Sequence, residues 1–151
     1  MMKKTEIYRC LLHELKCRRE RLEHSWKEIL ESNQQEGKSA AGDKHETGAA
    51  MIHLEMEQLG RQLEELKKQE EEVVRYSSNN IGVEQRVVMG SLVSTNVGLY
   101  YVITGFGKLQ CVDQEVYVIG RTSPAGQALW GKSVGERFEW GRVKGEVISI
   151  E

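Results

Sequence analysis

Asp43 and Glu46 are the residues whose type and spacing best suit chemistry. They stand three apart in the segment Gly42-Asp43-Lys44-His45-Glu46-Thr47-Gly48. Magnesium is often held by only one or two protein carboxylates, with water and phosphate oxygens completing its shell. Such a pair would help to hold a metal ion in another protein's active site without forming a complete site itself. The same spacing also describes a helix start. In a capping box Asp43 would accept a backbone amide, Glu46 would fold back onto the cap residue's amide, and the positive end of the helix dipole would favour both charges. The two readings are compatible. Lys44 offsets part of the charge, and His45 reads as a solvated loop residue. His13, His24 and His53 are dispersed along helical stretches and make no constellation.

The three cysteines, Cys10, Cys17 and Cys111, have no metal-ligand spacing. Cys10 and Cys17 lie seven apart on one predicted helix, too far for an easy bridge. The expectation is free thiols in a reducing cytoplasm.

The elements that must carry the carboxylate pair fall into two halves. Residues 1–76 are rich in Glu, Lys, Arg, Leu and Gln, all good helix formers. Residues 77–151 are rich in Gly, Val, Tyr and Thr, as in short strands and turns. Ser77-Ser78-Asn79-Asn80 separates them as a linker or helix stop. In the first half Tyr8, Leu15, Leu22 and Ile29 recur at intervals of seven, with Leu12 and Trp26 on the same stripe and Arg19 interrupting it. A second register runs through Ile52, Leu59, Leu66 and Val73, with Met56 and Leu63 beside it. Two matching seams with a short break describe an antiparallel helical pair. The break is 36–43, where Gly37 and Gly42 stop the first helix and Asp43 begins the second. Arms of about 30 residues would extend roughly 45 Å. The acidic tip falls near 37–48. On periodicity alone a dimerisation coiled coil fits as well as a reaching hairpin.

The second half offers strand candidates at 86–94, 97–104, 115–120, 136–140 and 143–150. One short helix interrupts them. Ser123 is its N-cap, Pro124 its first residue, and Gly131 its end. Ala128 and Leu129 would face the sheet. The fold class is α+β: an N-terminal antiparallel coiled-coil hairpin, then an antiparallel β domain with one short helix.

Composition narrows the function classes. The net charge is -2, so no whole-protein field would hold the chain on bare nucleic acid or an anionic membrane. No apolar run approaches the length of a membrane span, and Met1-Met2-Lys3-Lys4-Thr5-Glu6 is not followed by the apolar stretch of a signal peptide. A cytoplasmic protein recognising a partner through local patches is expected.

Order and motifs together resemble the bacterial Gre transcript-cleavage factors. A helical hairpin precedes a small β-rich domain, and the tip carries Asp43-x-x-Glu46. The stretch Ser123-Pro124-Ala125-Gly126-Gln127-Ala128-Leu129-Trp130-Gly131-Lys132-Ser133-Val134-Gly135-Glu136 is similar to that family's Ser-Pro-x-x-x-Ala-Leu-x-Gly-Lys-x-x-Gly-Asp signature. The resemblance implies an FKBP-like second domain that docks at the rim of the RNA polymerase secondary channel. The docking residues it suggests are Ser123, Pro124, Ala128, Leu129, Trp130, Gly131 and Lys132. It implies that the hairpin enters the channel as part of a monomer and lends Asp43 and Glu46 to the polymerase active site. There they would help to hold magnesium and stimulate cleavage of backtracked RNA, so contact with the nascent 3′ end is indirect. The chain would be an accessory factor rather than an enzyme, with no cofactor of its own. The sequence departs from the family after Glu46, where Thr47-Gly48-Ala49-Ala50 replaces the usual Asn and further acidic and aromatic residues. That departure supports an alternative, a non-cleaving regulator of the same channel. A coiled-coil adaptor unrelated to transcription is the reading from another class.

Overall fold

The structure is a computed structural model that describes residues 3–39, 43–77 and 85–151; within these, the side chains of 34–39 and 43–47 lie outside the description. Element order is α1 (Lys4–Ser39), α2 (Asp43–Tyr76), β1 (Ser91–Thr95), β2 (Gly98–Val102), β3 (Gly107–Cys111), β4 (Gln114–Ile119), α3 (Pro124–Leu129), β5 (Arg137–Trp140) and β6 (Val143–Ile150). The chain divides into two compact units, His13–Lys68 and a second that combines Met1–Leu12 with Gln69–Glu151.

The first unit is a pair of antiparallel arms. The α2 seam follows its heptad: Leu66 is buried, and Ile52, Met56, Leu59 and Leu63 are half-buried between exposed neighbours. Across it, Leu15 of α1 is buried and Leu22, Trp26 and Ile29 are half-buried. Trp26 faces Gly60, and Leu22 lies with Gln62 and Leu66, so ascending numbers on one arm meet descending numbers on the other. Helical stability in proteins comes mostly from packing an amphipathic face, and the shared apolar stripe supplies that face. Exposed pairs such as Arg19–Glu23 at 3.6 Å and His24–Glu28 at 3.1 Å decorate the outer faces and contribute little each. One expectation is corrected here. Gly37 does not stop α1, which continues to Ser39; a single helical glycine weakens the last turns without ending them.

In the second unit the six strands form one sheet in the order β3-β4-β2-β1-β6-β5. Four ladders are antiparallel, and β2·β4 is parallel. The parallel ladder follows from topology. The chain leaves β2, reverses along the outer strand β3, reverses again, and returns beside β2 as β4. The strand β3 was not expected from the sequence, and only Leu109 and Cys111 of its five residues are buried. The expected strand at 86–94 is shifted. Regular pairing begins at Ser91, while Arg86 makes only an isolated bridge to Ser133 and Val87 donates to the Lys132 carbonyl at 3.0 Å.

Strands β1 and β2 are buried on both faces. One face holds Val93, Tyr100, Val102, Phe138 and Val147 against Ala125 and Leu129 of α3. Tyr100 stacks on Tyr117 with centroids 5.4 Å apart and meets the edge of Phe138 at 6.2 Å. The opposite face carries Leu92, Tyr101, Leu109, Cys111, Val116 and Val118. The bases of α1 and α2 meet this side of the sheet. Tyr8 lies close enough to Tyr101 to raise its pKa, Gln69 Nε2 donates to the Gly105 carbonyl at 2.8 Å, and Cys10 is joined to Cys111 by a disulfide. Hence Ile7 and Leu11 are fully buried, not Tyr8 and Leu12. The expected free thiols at Cys10 and Cys111 are likewise corrected, and Cys17 alone is free. Sequence spacing gave no hint of a bond across 101 positions.

Candidate functional site

Two places carry the residues singled out in the sequence. The first is the start of α2. Asp43 is its first residue, so Asp43 and Glu46 occupy one helical turn. Their side chains lie outside the described residues, so the expected carboxylate pair is placed by backbone alone. Side chains three apart on a helix share a face, a spacing that suits two ligands to one cation. No group of three or more His, Cys, Asp or Glu side chains suited to a metal occurs among the described residues.

The second place is built around α3. Ser123 is extended, its hydroxyl accepts the Gly126 amide at 3.1 Å and donates to the Gly120 carbonyl at 2.7 Å, and Pro124 follows in the first turn. The turn after the helix is fixed by Gly131, whose φ of +76 is the left-handed region that favours glycine. Its amide donates to the Val87 carbonyl at 2.9 Å. This rigid cap–helix–turn places Ala128, Trp130 and Lys132 along one cleft of about 860 Å³, with Arg137, Phe138 and Lys144 on the sheet side. The Arg121 guanidinium lies 4.1 Å from the Trp130 ring centroid. Such a contact holds an aromatic face in place. Lys132 is 3.9 Å from Glu136 and Lys144 is 3.8 Å from Glu139, exposed pairs that leave both ammonium groups adaptable.

The suggested docking residues thus separate. Ala128, Trp130 and Lys132 line the cleft, while Ser123 and Gly131 hold the backbone that presents them. Leu129 is fully buried in the core and offers no surface, and the helix faces the sheet with Ala125 and Leu129, not with Ala128. The helical period gives the reason, because Ala125 and Leu129 are four apart. The contributions of Arg137, Phe138 and Lys144 were missed. They come from strands distant in sequence, and no local pattern marks them.

A helical hairpin joined to a six-stranded mixed sheet with one short helix is the class of architecture these elements define. No family model and no curated protein sequence matches the chain. Among solved structures, the crystal structure of GreA factor homolog 1 (Gfh1) from Thermus thermophilus is similar at 20% identity, covering 93% of this chain and 94% of that one, with a TM-score of 0.37. A structure of the transcription factor Gfh1 is similar at the same identity and TM-score, covering 93% of this chain and 92% of that one.

Proposed function

We propose that this chain is a Gre-like accessory factor of RNA polymerase. In this reading the α3 cleft docks at the rim of the secondary channel, and the arms carry Asp43 and Glu46 to the catalytic magnesium to stimulate cleavage of backtracked RNA. The observation that carries the reading is the shared seam of α1 and α2. Residues 13–68 form one unit of two antiparallel arms, and the second arm begins at Asp43. A helix of 36 residues spans roughly 54 Å at about 1.5 Å per residue. The Ser123–Lys132 segment supports the same reading, since its signature residues fold into the cap, turn and cleft described above.

The chain's own part is binding and positioning. The cleft fixes the factor on its partner, the paired arms carry the tip, and Asp43 and Glu46 lend carboxylate oxygens. Magnesium, when bound, supplies charge stabilisation and water activation for phosphodiester hydrolysis. A monomer acting in the cytoplasm completes the proposal. No helix among the described residues is long and apolar enough to cross a membrane.

The test is a purified polymerase stalled in a backtracked complex. Addition of the factor shortens the RNA, and Asp43→Asn or Glu46→Gln removes the effect while binding persists. A hundredfold loss from one ligand corresponds to about 2.7 kcal/mol of transition-state stabilisation. Inhibition of synthesis without shortened RNA supports the second reading, a non-cleaving channel regulator. The run Thr47-Gly48-Ala49-Ala50 beyond Glu46 favours that reading. Absence of any binding to polymerase overturns both and leaves a coiled-coil adaptor.

A further inference from the structure

We propose that Cys10 and Cys111 form a reversible thiol–disulfide clamp that fastens the base of α1 to the edge strand β3 and opens on exposure to a dithiol reductant. This proposal stands apart from the reading of the tip and cleft. The two cysteines are separated by 101 positions and their Cα atoms by 6.2 Å, within the span a disulfide bridges. Cys10 is partly exposed and Cys111 is fully buried. Of the two residues, Cys10 is the one that solvent reaches.

The segment held by the bond is one that the fold secures weakly. Strand β3 is the outermost of the sheet and, among the described residues, pairs with β4 alone. Immediately after Cys111 comes Val112, at φ +51 and 81% exposed. A β-branched residue is strained in that region. On the helix side, Ile7 and Leu11 are fully buried, an apolar anchor separate from the sulfurs. Opening the clamp therefore loosens the base of α1 and the β3–β4 turn without unfolding the sheet.

The exchange balances. A thiolate of the reductant attacks Cys10 Sγ, the Cys10–Cys111 bond breaks, and Cys111 leaves as a thiolate that takes a proton. The reductant's second thiolate attacks the sulfur of its own mixed disulfide and releases Cys10, which is protonated in turn. Two electrons pass from the dithiol, which becomes a disulfide. Cys17, beside His13 Nε2 at 3.6 Å, takes no part.

The test uses the full chain in oxidised glutathione and then in dithiothreitol, with thiol alkylation, intact mass and amide hydrogen exchange. The oxidised protein shows one alkylatable thiol, at Cys17, and a mass two hydrogens lower. Native dithiothreitol treatment raises that number to three. Exchange then rises several-fold across 4–12 and 107–116 and stays unchanged in β1 and β6. Cys10→Ser shows the loosened pattern under both conditions, whereas Cys17→Ser responds as the parent does. Three alkylatable thiols in oxidised glutathione, a bond that opens only after denaturation, or identical exchange in the two states would each overturn the proposal.

Discussion

The Trp26 ring lies 3.7 Å from where a β-carbon on Gly60 would stand, so the widest side chain of one arm faces a position of the other that has no side chain. A glycine inside a helix is unfavourable by about 1 kcal/mol relative to alanine, and the space beside the indole admits a β-carbon. At 3.7 Å one methyl group makes ordinary contact. Gly60→Ala is therefore expected to stabilise the hairpin by about 0.5–1 kcal/mol. Trp26→Ala removes the ring and costs about 3 kcal/mol, less whatever the half-exposed site regains by collapse. Urea unfolding followed by far-UV circular dichroism reads both, and opposite signs are the expected result.

Tyr101 is fully buried, and its hydroxyl has no hydrogen-bond partner among the described residues. Burial first, and then Tyr8, raise its pKa above the ordinary phenol range. The fold thus favours the neutral phenol. Stability is intact below about pH 10, where an unfolded tyrosine begins to ionise, and falls as pH rises further because the unfolded chain releases its proton first. Tyr100 has the same sign, again chiefly through burial. Lys4 is lowered by burial, against Glu151, and has the opposite sign. Lys4 and Tyr100 are common to parent and variant, so comparison isolates Tyr101. Tyr101→Phe is expected to gain about 1 kcal/mol at neutral pH by removing an unsatisfied hydroxyl. Its advantage widens at about pH 11, as urea midpoints at the two pH values will show.

Why some of this was legible in the sequence follows from the range of each signal. The hairpin was legible because a heptad is a local repeat, and Ile52 to Val73 keep their seam in the fold. The cap at Ser123 and the turn at Gly131 were legible because each is decided within about one turn of chain. Near its start α1 answers to the sheet as well as to α2, and the buried stripe moves to Ile7 and Leu11. Strand β3 escaped notice because, as an edge strand, it buries only Leu109 and Cys111 between exposed Lys108 and Gln110. The Cys10–Cys111 bond and the cleft residues Arg137 and Lys144 depend on tertiary topology, which no local pattern encodes. The start of α2 at Asp43 is as expected, while the side chains of Asp43 and Glu46 lie outside the described residues.

Gly126 was passed over as a variable position of the signature, yet it is where α3 lies tightest. A β-carbon there would fall on the Gly120 carbonyl oxygen, and the Arg121 carbonyl oxygen would be 3.0 Å away. Both are backbone atoms, and the Gly120 oxygen is held by the amide and hydroxyl of Ser123, so the clash is not relieved by a side-chain rotation. Gly126→Ala is expected to cost about 2–4 kcal/mol. Gln127→Ala, next along the helix and exposed, loses one hydrogen bond to the Thr122 carbonyl and costs about 1 kcal/mol or less. Thermal melts of the two variants separate a backbone clash from a generic effect of alanine in α3.

Polymerase docking through the α3 cleft predicts a division between binding and stability. Trp130 is half-exposed, held by Arg121, and flanked by Lys132 and Arg137. Aromatic and arginine side chains in such settings carry a disproportionate share of interface energy. Trp130→Ala is expected to weaken polymerase binding by about 2 kcal/mol, roughly thirtyfold in Kd. Arg137→Glu, exposed on β5, weakens it mainly through the association rate, with an effect that shrinks as salt rises. Val112→Thr, on the β3–β4 turn and outside the cleft, leaves Kd unchanged. Titration of labelled factor against core polymerase at two salt concentrations measures all three. Equal loss in all three variants would point to instability, and no loss at Trp130 or Arg137 would remove the cleft from the docking surface. The discriminating feature is salt: an indole buried on docking is indifferent to it, whereas a guanidinium acting at a distance is not.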